Sequence, residues 1–146
     1  MFRGSAPAKI DDKGRLKLPT AFRRDLEQSY GREIFVTSIR GESVLIYPLT
    51  VWQEIEDRLM ALPSTDLVKL RYLERVSYFG QQSVLDSQGR MVLPPILRER
   101  AEMVGEVVVN ARLDHFEVWN HDRLQARFSE QPFTDEDFHN LSEKGI

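Results

Sequence analysis

The sequence predicts an α+β fold in which one ββαββ unit occurs twice. Three observations support this prediction: a 13-residue motif recurs 75 residues further along the chain, apolar and polar residues alternate in short runs around each copy, and helical patterns follow at matching places. The chain has 146 residues, of which 41% are hydrophobic and 29% are charged, and it has no cysteine. This composition is typical of one globular domain or two very small ones, and it excludes a long disordered chain and a disulfide scaffold.

The repeated motif has the pattern D-x-x-G-R-[LM]-x-L-P-x-x-[FL]-R. It covers residues 11–23 and residues 86–98, and six of the 13 positions are identical. The correspondence continues downstream, where residues 33–36 align with 106–109 and residues 44–47 align with 116–119. Agreement at fixed spacing over this length indicates a tandem duplication.

Each copy begins with two short strands joined by a tight turn. The strands are expected at residues 8–10 and 16–18 in copy one, and at residues 83–85 and 91–93 in copy two. Gly14 and Gly89 lie in the turns, where a positive φ is easily adopted by glycine. Pro19 and Pro94 suit the first turn of a helix, so we expect helices over residues 19–28 and 94–103, each followed by two more strands.

Further helices are expected after each copy. Thr50 and Gln53 resemble a capping box for a helix over residues 51–61, and a second helix is expected over 66–78. After copy two we expect helices over 120–128 and from 134, with Phe138 and Leu141 facing inward. The predicted organisation is a first module (1–50), a helical insertion (51–80), a second module (81–128) and an acidic C-terminal tail with a short helix (129–146).

The charge is unevenly distributed along the chain. The net charge is −3, but residues 1–32 hold eight basic against four acidic residues, and residues 129–146 hold five acidic residues against one lysine. A chain with a net negative charge is therefore still able to present a basic surface that binds nucleic acid. No secretory leader and no long apolar run is present, so we expect a cytoplasmic protein without membrane contact.

Enzymatic chemistry finds no support in the sequence. The three histidines, His115, His121 and His139, lack metal-ligand spacing, and no phosphate-binding glycine loop or serine nucleophile elbow occurs. We therefore expect no catalytic residue, no metal, no cofactor and no small-molecule ligand.

Four segments in their order resemble the bacterial MraZ family over nearly the whole chain. They are Met1-Phe2-Arg3-Gly4, the two D-x-x-G-R-x-x-L-P copies, and Leu45-x-Tyr47-Pro48. The resemblance implies tandem AbrB-like swapped-hairpin β-barrel modules related by a pseudo-two-fold axis, and ring-like homo-oligomers. It also implies a nucleoid-associated transcriptional regulator that binds short direct repeats in double-stranded DNA upstream of division and cell-wall genes, including its own promoter.

The two D-x-x-G-R turns are the expected DNA-reading elements. Arg15 and Arg90 would pair with guanine O6 and N7, while nearby lysines and the glycine backbone take phosphates. The predicted DNA-binding residues are Lys13, Gly14, Arg15, Lys17, Gln88, Gly89, Arg90 and Arg3. Asp11 and Asp86 are expected to order the turns, and the turns are expected at the same end of the barrel. Gln88 replaces the lysine of the first copy, so we expect the turns to contribute unequally.

Alternatives remain at several positions. Arg15 and Arg90 could instead form ion pairs that join the two hairpins, and Phe2 could stack on a base or anchor a subunit interface. Arg23 and Arg98 are better candidates for a surface ion pair or a subunit contact than for phosphate ligands, and the leucines of the 66–78 helix suit subunit contacts or ordinary core. The alternative function is a scaffold or antidote-type interaction module that docks through residues 129–146 without binding DNA.

Overall fold

The computed structural model describes residues 1–146 and contains eight strands and six helices. The first copy consists of β1 (Ser5–Lys9), β2 (Arg15–Lys17), α1 (Thr20–Ser29), β3 (Glu33–Thr37) and β4 (Val44–Pro48). Helices α2 (Leu49–Met60) and α3 (Leu67–Tyr78) follow it. The second copy consists of β5 (Gln81–Val84), β6 (Arg90–Val92), α4 (Pro95–Arg100), β7 (Glu106–Ala111) and β8 (Phe116–Asn120), and α5 (His121–Glu130) and α6 (Asp135–Glu143) end the chain. The α+β class and the repeated ββαββ order are confirmed.

The two copies exchange strands. The larger sheet has the antiparallel order β1-β7-β8-β4-β3-β5, while β2 and β6 form a separate two-stranded sheet. The first strand of each copy pairs with the third strand of the other, so that Ser5 lies opposite Asn110 and Glu33 lies opposite Val84. Each copy therefore covers a sheet edge of the other copy. Neither copy builds the sheet from its own strands alone.

One apolar core joins the copies. It contains 20 buried residues, among them Leu16 and Leu18 from the first copy and Met91 and Leu93 from the second. A smaller cluster on the outer side of the sheet holds Trp52 of α2 against Tyr47 and Phe35. Residues 1–50 and 81–128 thus contribute to a single core.

The start of α2 differs from the sequence prediction. The helix begins at Leu49, its N-cap is Pro48, and no side chain caps it. The capping box predicted for Thr50 and Gln53 is wrong, because the proline that ends β4 already has a φ of −54° and leads directly into the helix. Helix α4 also ends earlier than expected, at Arg100, because Glu102 adopts a φ of +52°.

Two aromatic residues lie where the sequence did not place them. Phe2 is 2% exposed, and its ring stacks on Phe116 with centroids 4.4 Å apart, so it is a core residue and neither a base-stacking group nor an interface anchor.

Phe138 of α6 is 63% exposed, and the inward orientation predicted for it is wrong because no residue of α6 is buried. The helix expected from residue 134 is present, and Thr134 and Asp137 form a capping box at its start that was not identified from the sequence. None of the helices has the length and apolar character required to cross a bilayer.

Candidate nucleic-acid interface

The two repeated motifs meet in one two-stranded ribbon. β2 and β6 are antiparallel, with Arg15 opposite Val92 and Lys17 opposite Arg90. Leu16 and Met91 are buried between these positions, so the alternate residues lie on the outer face of the ribbon. Directly opposite side chains in such a pair are roughly 5 Å apart and diagonal ones about 7–8 Å. The structure therefore brings Arg15, Lys17 and Arg90 together in one cationic surface, which we call the arginine ribbon.

The ribbon is flanked by the two turns, one at each end of it. The amide of Leu93 donates to the Gly14 carbonyl at 3.2 Å, and the amide of Leu18 donates to the Gly89 carbonyl at 2.9 Å. The ladder thus runs from one glycine turn to the other. Four residues of extended chain between them correspond to about 13 Å. The turns occupy opposite ends of one short ribbon on the same surface of the protein.

An aspartate orders each turn. Asp11 Oδ1 accepts hydrogen bonds from the amides of Lys13 and Arg15 at 3.0 and 2.9 Å, and Asp86 Oδ1 accepts from those of Gln88 and Arg90 at 2.8 and 2.9 Å. The bond from the backbone amide of the arginine is the largest cause that lowers the pKa of each carboxyl, and it contributes to a pKa of about 2 for Asp86. Both carboxylates are therefore charged at neutral pH.

Each aspartate also orients the arginine of its own turn. Arg15 Nε donates to Asp11 Oδ2 at 2.7 Å, and Arg90 Nε donates to Asp86 Oδ2 at 2.9 Å. Because both ion pairs lie within a single turn, the alternative in which they join the two hairpins is wrong. The arginine side chains are 24% and 27% exposed, and their Nη atoms have no hydrogen-bond partner in the protein. The aspartates hold the guanidinium groups while leaving the Nη donors free.

The remaining predicted DNA-binding residues are placed differently. Lys13 and Gln88 are exposed in the turns beside the ribbon, and Lys17 within the ribbon is exposed as well. The amides of Gly14 and Gly89 donate to the carbonyls of Asp11 and Asp86 at 2.9 and 3.0 Å. The expectation that the glycine backbone takes phosphates is therefore not met, since its donors are already used within the turn.

Arg3 is not brought together with the ribbon. It precedes β1, whereas the first turn follows β1, and its Nη1 lies 3.4 Å from the Met1 carbonyl. The five residues of β1 lie between Arg3 and the first turn, which corresponds to about 17 Å. Arg3 lies at the opposite end of β1 from the predicted DNA-reading turn.

The two turns differ in how the rest of the protein holds them. Arg23 of α1 donates from Nη2 to the Ser87 carbonyl at 2.8 Å, and Arg32 donates from Nη2 to the Asp86 carbonyl at 3.3 Å. Glu27 accepts from the Nε atoms of both arginines at 3.1 and 3.3 Å, and the bond from Arg23 is the largest cause that lowers the pKa of its carboxyl. The surface ion pair expected for Arg23 is confirmed.

The first turn has no equivalent support. Arg98, which corresponds to Arg23, packs against Gly14 but makes no hydrogen bond and no ion pair with the protein. Arg32 was not identified from the sequence, because it acts on a turn 54 residues away and no local pattern marks it. The turn in copy two is thus held by copy one, whereas the turn in copy one is held mainly by its own aspartate.

A second concave surface lies away from the ribbon, around the loop between β3 and β4. It has a volume of about 340 Å³ and is lined by Arg40, Arg112, His115 and Trp119, among others. His115 Nδ1 lies 2.8 Å from Asp114 Oδ1, and its ring stacks on Tyr47, whose pKa is raised to about 12 mainly by burial. No three His, Asp or Glu side chains are grouped closely enough to hold a metal ion.

Comparisons with known proteins give one consistent result. A family model described as "MraZ protein, putative antitoxin-like" matches residues 1–74 and 80–144. The chain is 42% identical over 146 residues to a protein of Acidobacterium capsulatum, and 42% identical over 147 residues to one of Koribacter versatilis, in each case over 100% of both chains. It is 34% identical over 131 residues to a protein of Actinobacillus pleuropneumoniae serotype 3, covering 89% of this chain and 86% of the relative. All three relatives are named "Transcriptional regulator MraZ".

Proposed function

Because the chain belongs to the MraZ family, we propose that it is a transcriptional regulator that binds specific DNA sequences through the arginine ribbon. Relatives that match it over their full length are named transcriptional regulators, which supports a role in transcription regulation rather than in catalysis. The proposed target is a set of short direct repeats in a promoter of division and cell-wall genes, including its own. Such a protein would associate with the nucleoid.

The observation that carries the proposal is the free Nη donors of Arg15 and Arg90 on one ribbon. A two-stranded ribbon fits the major groove of B-DNA, and an arginine there pairs bidentately with O6 and N7 of guanine. With Nε of Arg15 bound to Asp11, the two Nη groups remain for this contact in a fixed orientation. Lys13 and Lys17 are exposed near Arg15 and would contact phosphates.

Self-association is part of the proposal. The fold is proposed to be a tandem AbrB-like swapped-hairpin arrangement, and the pairing of β1 with β7 and of β5 with β3 supports that reading. A homo-oligomeric ring would present one ribbon per subunit in the same orientation, which suits direct repeats. Each contact can then be weak, because neighbouring subunits bind neighbouring repeats at high effective concentration. This also accounts for DNA binding by a chain of net charge −3.

The test is a fluorescence-anisotropy titration of DNA from upstream of the protein's own gene against a shuffled sequence. Loss of one bidentate contact costs about 1–3 kcal/mol, so Arg15→Ala and Arg90→Ala should each weaken specific binding by roughly 5- to 150-fold per repeat. Arg71→Ala is the matched control, since Arg71 is an exposed arginine on α3 without an ion-pair partner. Its loss removes the same charge away from the ribbon and should leave the preference for the promoter unchanged.

Two results would count against the proposal. Wild-type protein that binds promoter and shuffled DNA equally would not be a sequence-specific regulator. Arginine-ribbon variants that bind like Arg71→Ala, at unchanged mass by light scattering, would show that the ribbon does not read DNA. In that case a scaffold or antidote-type role through residues 129–146 becomes the better hypothesis.

A further inference from the structure

Helix α6 and the residues just before it carry apolar side chains that are not buried by the rest of the chain. Phe133 and Phe138 pack edge to face with ring centroids 4.7 Å apart, and Leu141 lies one helical turn beyond Phe138. Both phenylalanines are more than half exposed. We call these three residues the tail knob. A helix with a formed capping box and no buried residue is an element without its packing partner.

A second apolar surface lies in the helical insertion. Helices α2 and α3 form a groove of about 390 Å³ whose apolar walls hold five side chains, which we call the insertion groove. These are Ile55, Leu59, Leu62, Val68 and Tyr72. Met60 and Leu67, at the ends of the two helices, are 79% and 65% exposed and extend the apolar surface beyond the groove. Contiguous apolar surface of this kind is typical of interaction sites.

The two surfaces are complementary in charge as well as in apolar character. Asp135 and Glu136 precede Phe138 on α6, and Glu143 follows Leu141. The rim of the insertion groove carries Arg58 and Lys69, and Arg58 forms no ion pair in the chain. The one acid in the lining, Asp66, already accepts hydrogen bonds from the amides of Val68 and Lys69. A helix that places an apolar face in a groove and acids against basic rim residues is a common recognition mode.

The geometry favours a groove on another molecule. β4 and β8 are antiparallel, so α2 and α5, which follow them directly, leave the sheet at opposite ends. None of the residues that line the insertion groove belongs to residues 129–146, so the tail knob of the same chain does not occupy it.

We propose that the tail knob of one copy docks in the insertion groove of a second copy, with Asp135 and Glu136 near Arg58 and Lys69. Donor and acceptor are different surfaces, so the contact is heterologous, and repeated contacts close into a ring when the rotation allows it. This inference rests on the self-association in the proposed function and names the surfaces that produce it. It assigns a role to both segments that lie outside the repeated units, residues 51–80 and 129–146.

The experiment compares masses of full-length variants by sedimentation velocity at one fixed concentration. Phe138→Glu disables the knob and Val68→Glu disables the groove. Val104→Glu is the control, because Val104 is 66% exposed and Val68 is 67% exposed, yet Val104 lies outside both surfaces. All three positions are exposed, so the folded chain tolerates the charge, which circular dichroism verifies. Wild type and Val104→Glu should be multimeric, and the other two variants monomeric.

Mixing the two defective variants gives the decisive result. Phe138→Glu retains a working groove and Val68→Glu retains a working knob, so an equimolar mixture should form pairs of about twice the 17.0 kDa chain mass and grow no further. Either single variant keeping the wild-type mass, or a mixture that stays monomeric, would overturn the docking. A monomeric wild type would overturn self-association as well.

DNA binding separates failure of the docking from failure of the proposed function. Monomeric Phe138→Glu should still bind a single repeat in a manner that depends on Arg15, because the arginine ribbon is formed within one chain. If the masses behave as expected while Arg15→Ala changes nothing, the docking stands and the DNA-reading role is refuted.

Discussion

Replacing Gly89 by alanine is expected to destabilise the protein more than replacing Gly14, although the two glycines occupy equivalent turns. Their φ angles are +75° and +74°, so the backbone strain imposed on alanine is the same at both sites, about 1–2 kcal/mol. The difference comes from the arginine that packs on each glycine. A Cβ on Gly89 would lie 2.6 Å from Cδ of Arg23, and a Cβ on Gly14 would meet the guanidinium end of Arg98.

The cost of moving these two arginines differs. Arg98 has no hydrogen bond or ion pair with the protein, so its guanidinium can swing away with little loss. Arg23 is held by Glu27 and by the Ser87 carbonyl, and moving its Cδ breaks both contacts. A hydrogen bond to a charged group contributes about 1.5–3 kcal/mol, and solvent screening at a side chain 26% exposed reduces this to about 1 kcal/mol. We expect a loss of about 1–2 kcal/mol for Gly14→Ala and about 2–3 kcal/mol for Gly89→Ala.

Urea unfolding at one protein concentration measures both losses, since the midpoint shifts while the slope stays constant in a two-state transition. The same pair of glycine variants in an Arg23→Ala background is the control. There the difference should vanish, because the side chain that distinguishes the sites is gone. Equal losses in the wild-type background, or a difference that persists without Arg23, would refute the role given to Arg23 in holding the second turn.

Three further outcomes are expected. Phe2→Ala should lower the free energy of unfolding, measured by urea titration, by about 3–5 kcal/mol, as for other buried phenylalanines. The folded variant should keep its preference for promoter DNA. A loss below about 1 kcal/mol would contradict the packing of Phe2 against Phe116. The pKa of the Asp86 carboxyl is lowered from 3.8 to about 2, so the ionised carboxylate stabilises the fold fully above pH 3.8 and loses this effect as the pH falls toward 2. Urea midpoints of Asp86→Asn, measured over the same pH range, should not show this loss. Gln88→Lys should tighten DNA binding and steepen the slope of log binding constant against log salt concentration by about one unit. Anisotropy titrations at several salt concentrations measure this slope. An unchanged slope would place residue 88 away from phosphates.

The local structure of the repeat could be predicted from the sequence because its signals are local. Glycine at the positive φ of each turn, proline at the start of each first helix and the alternation around Leu16 and Met91 are all encoded within a few residues. The aspartate that accepts amide hydrogen bonds in each turn follows from the same spacing. These contacts are identical in the two copies, as a duplicated motif requires.

What could not be predicted depends on contacts between distant parts of the chain. The support that Arg32 gives to the second turn spans 54 residues and has no counterpart in copy two, where Gly105 takes the corresponding place before a strand. The burial of Phe2 depends on the pairing of its backbone with Leu113, which only the exchanged strands bring close.

The exposure of Phe138 exemplifies the limit of periodicity. Its spacing to Leu141 correctly predicts an apolar helix face, but a pattern does not say which surface covers that face. Helix α3, which follows α2 as α6 follows α5, buries Val76 against the sheet, whereas α6 buries nothing. The same order of elements therefore ends in a packed helix in one copy and a free one in the other. The last helix therefore leaves its apolar side chains on the surface of the protein, whereas α3 covers part of the sheet.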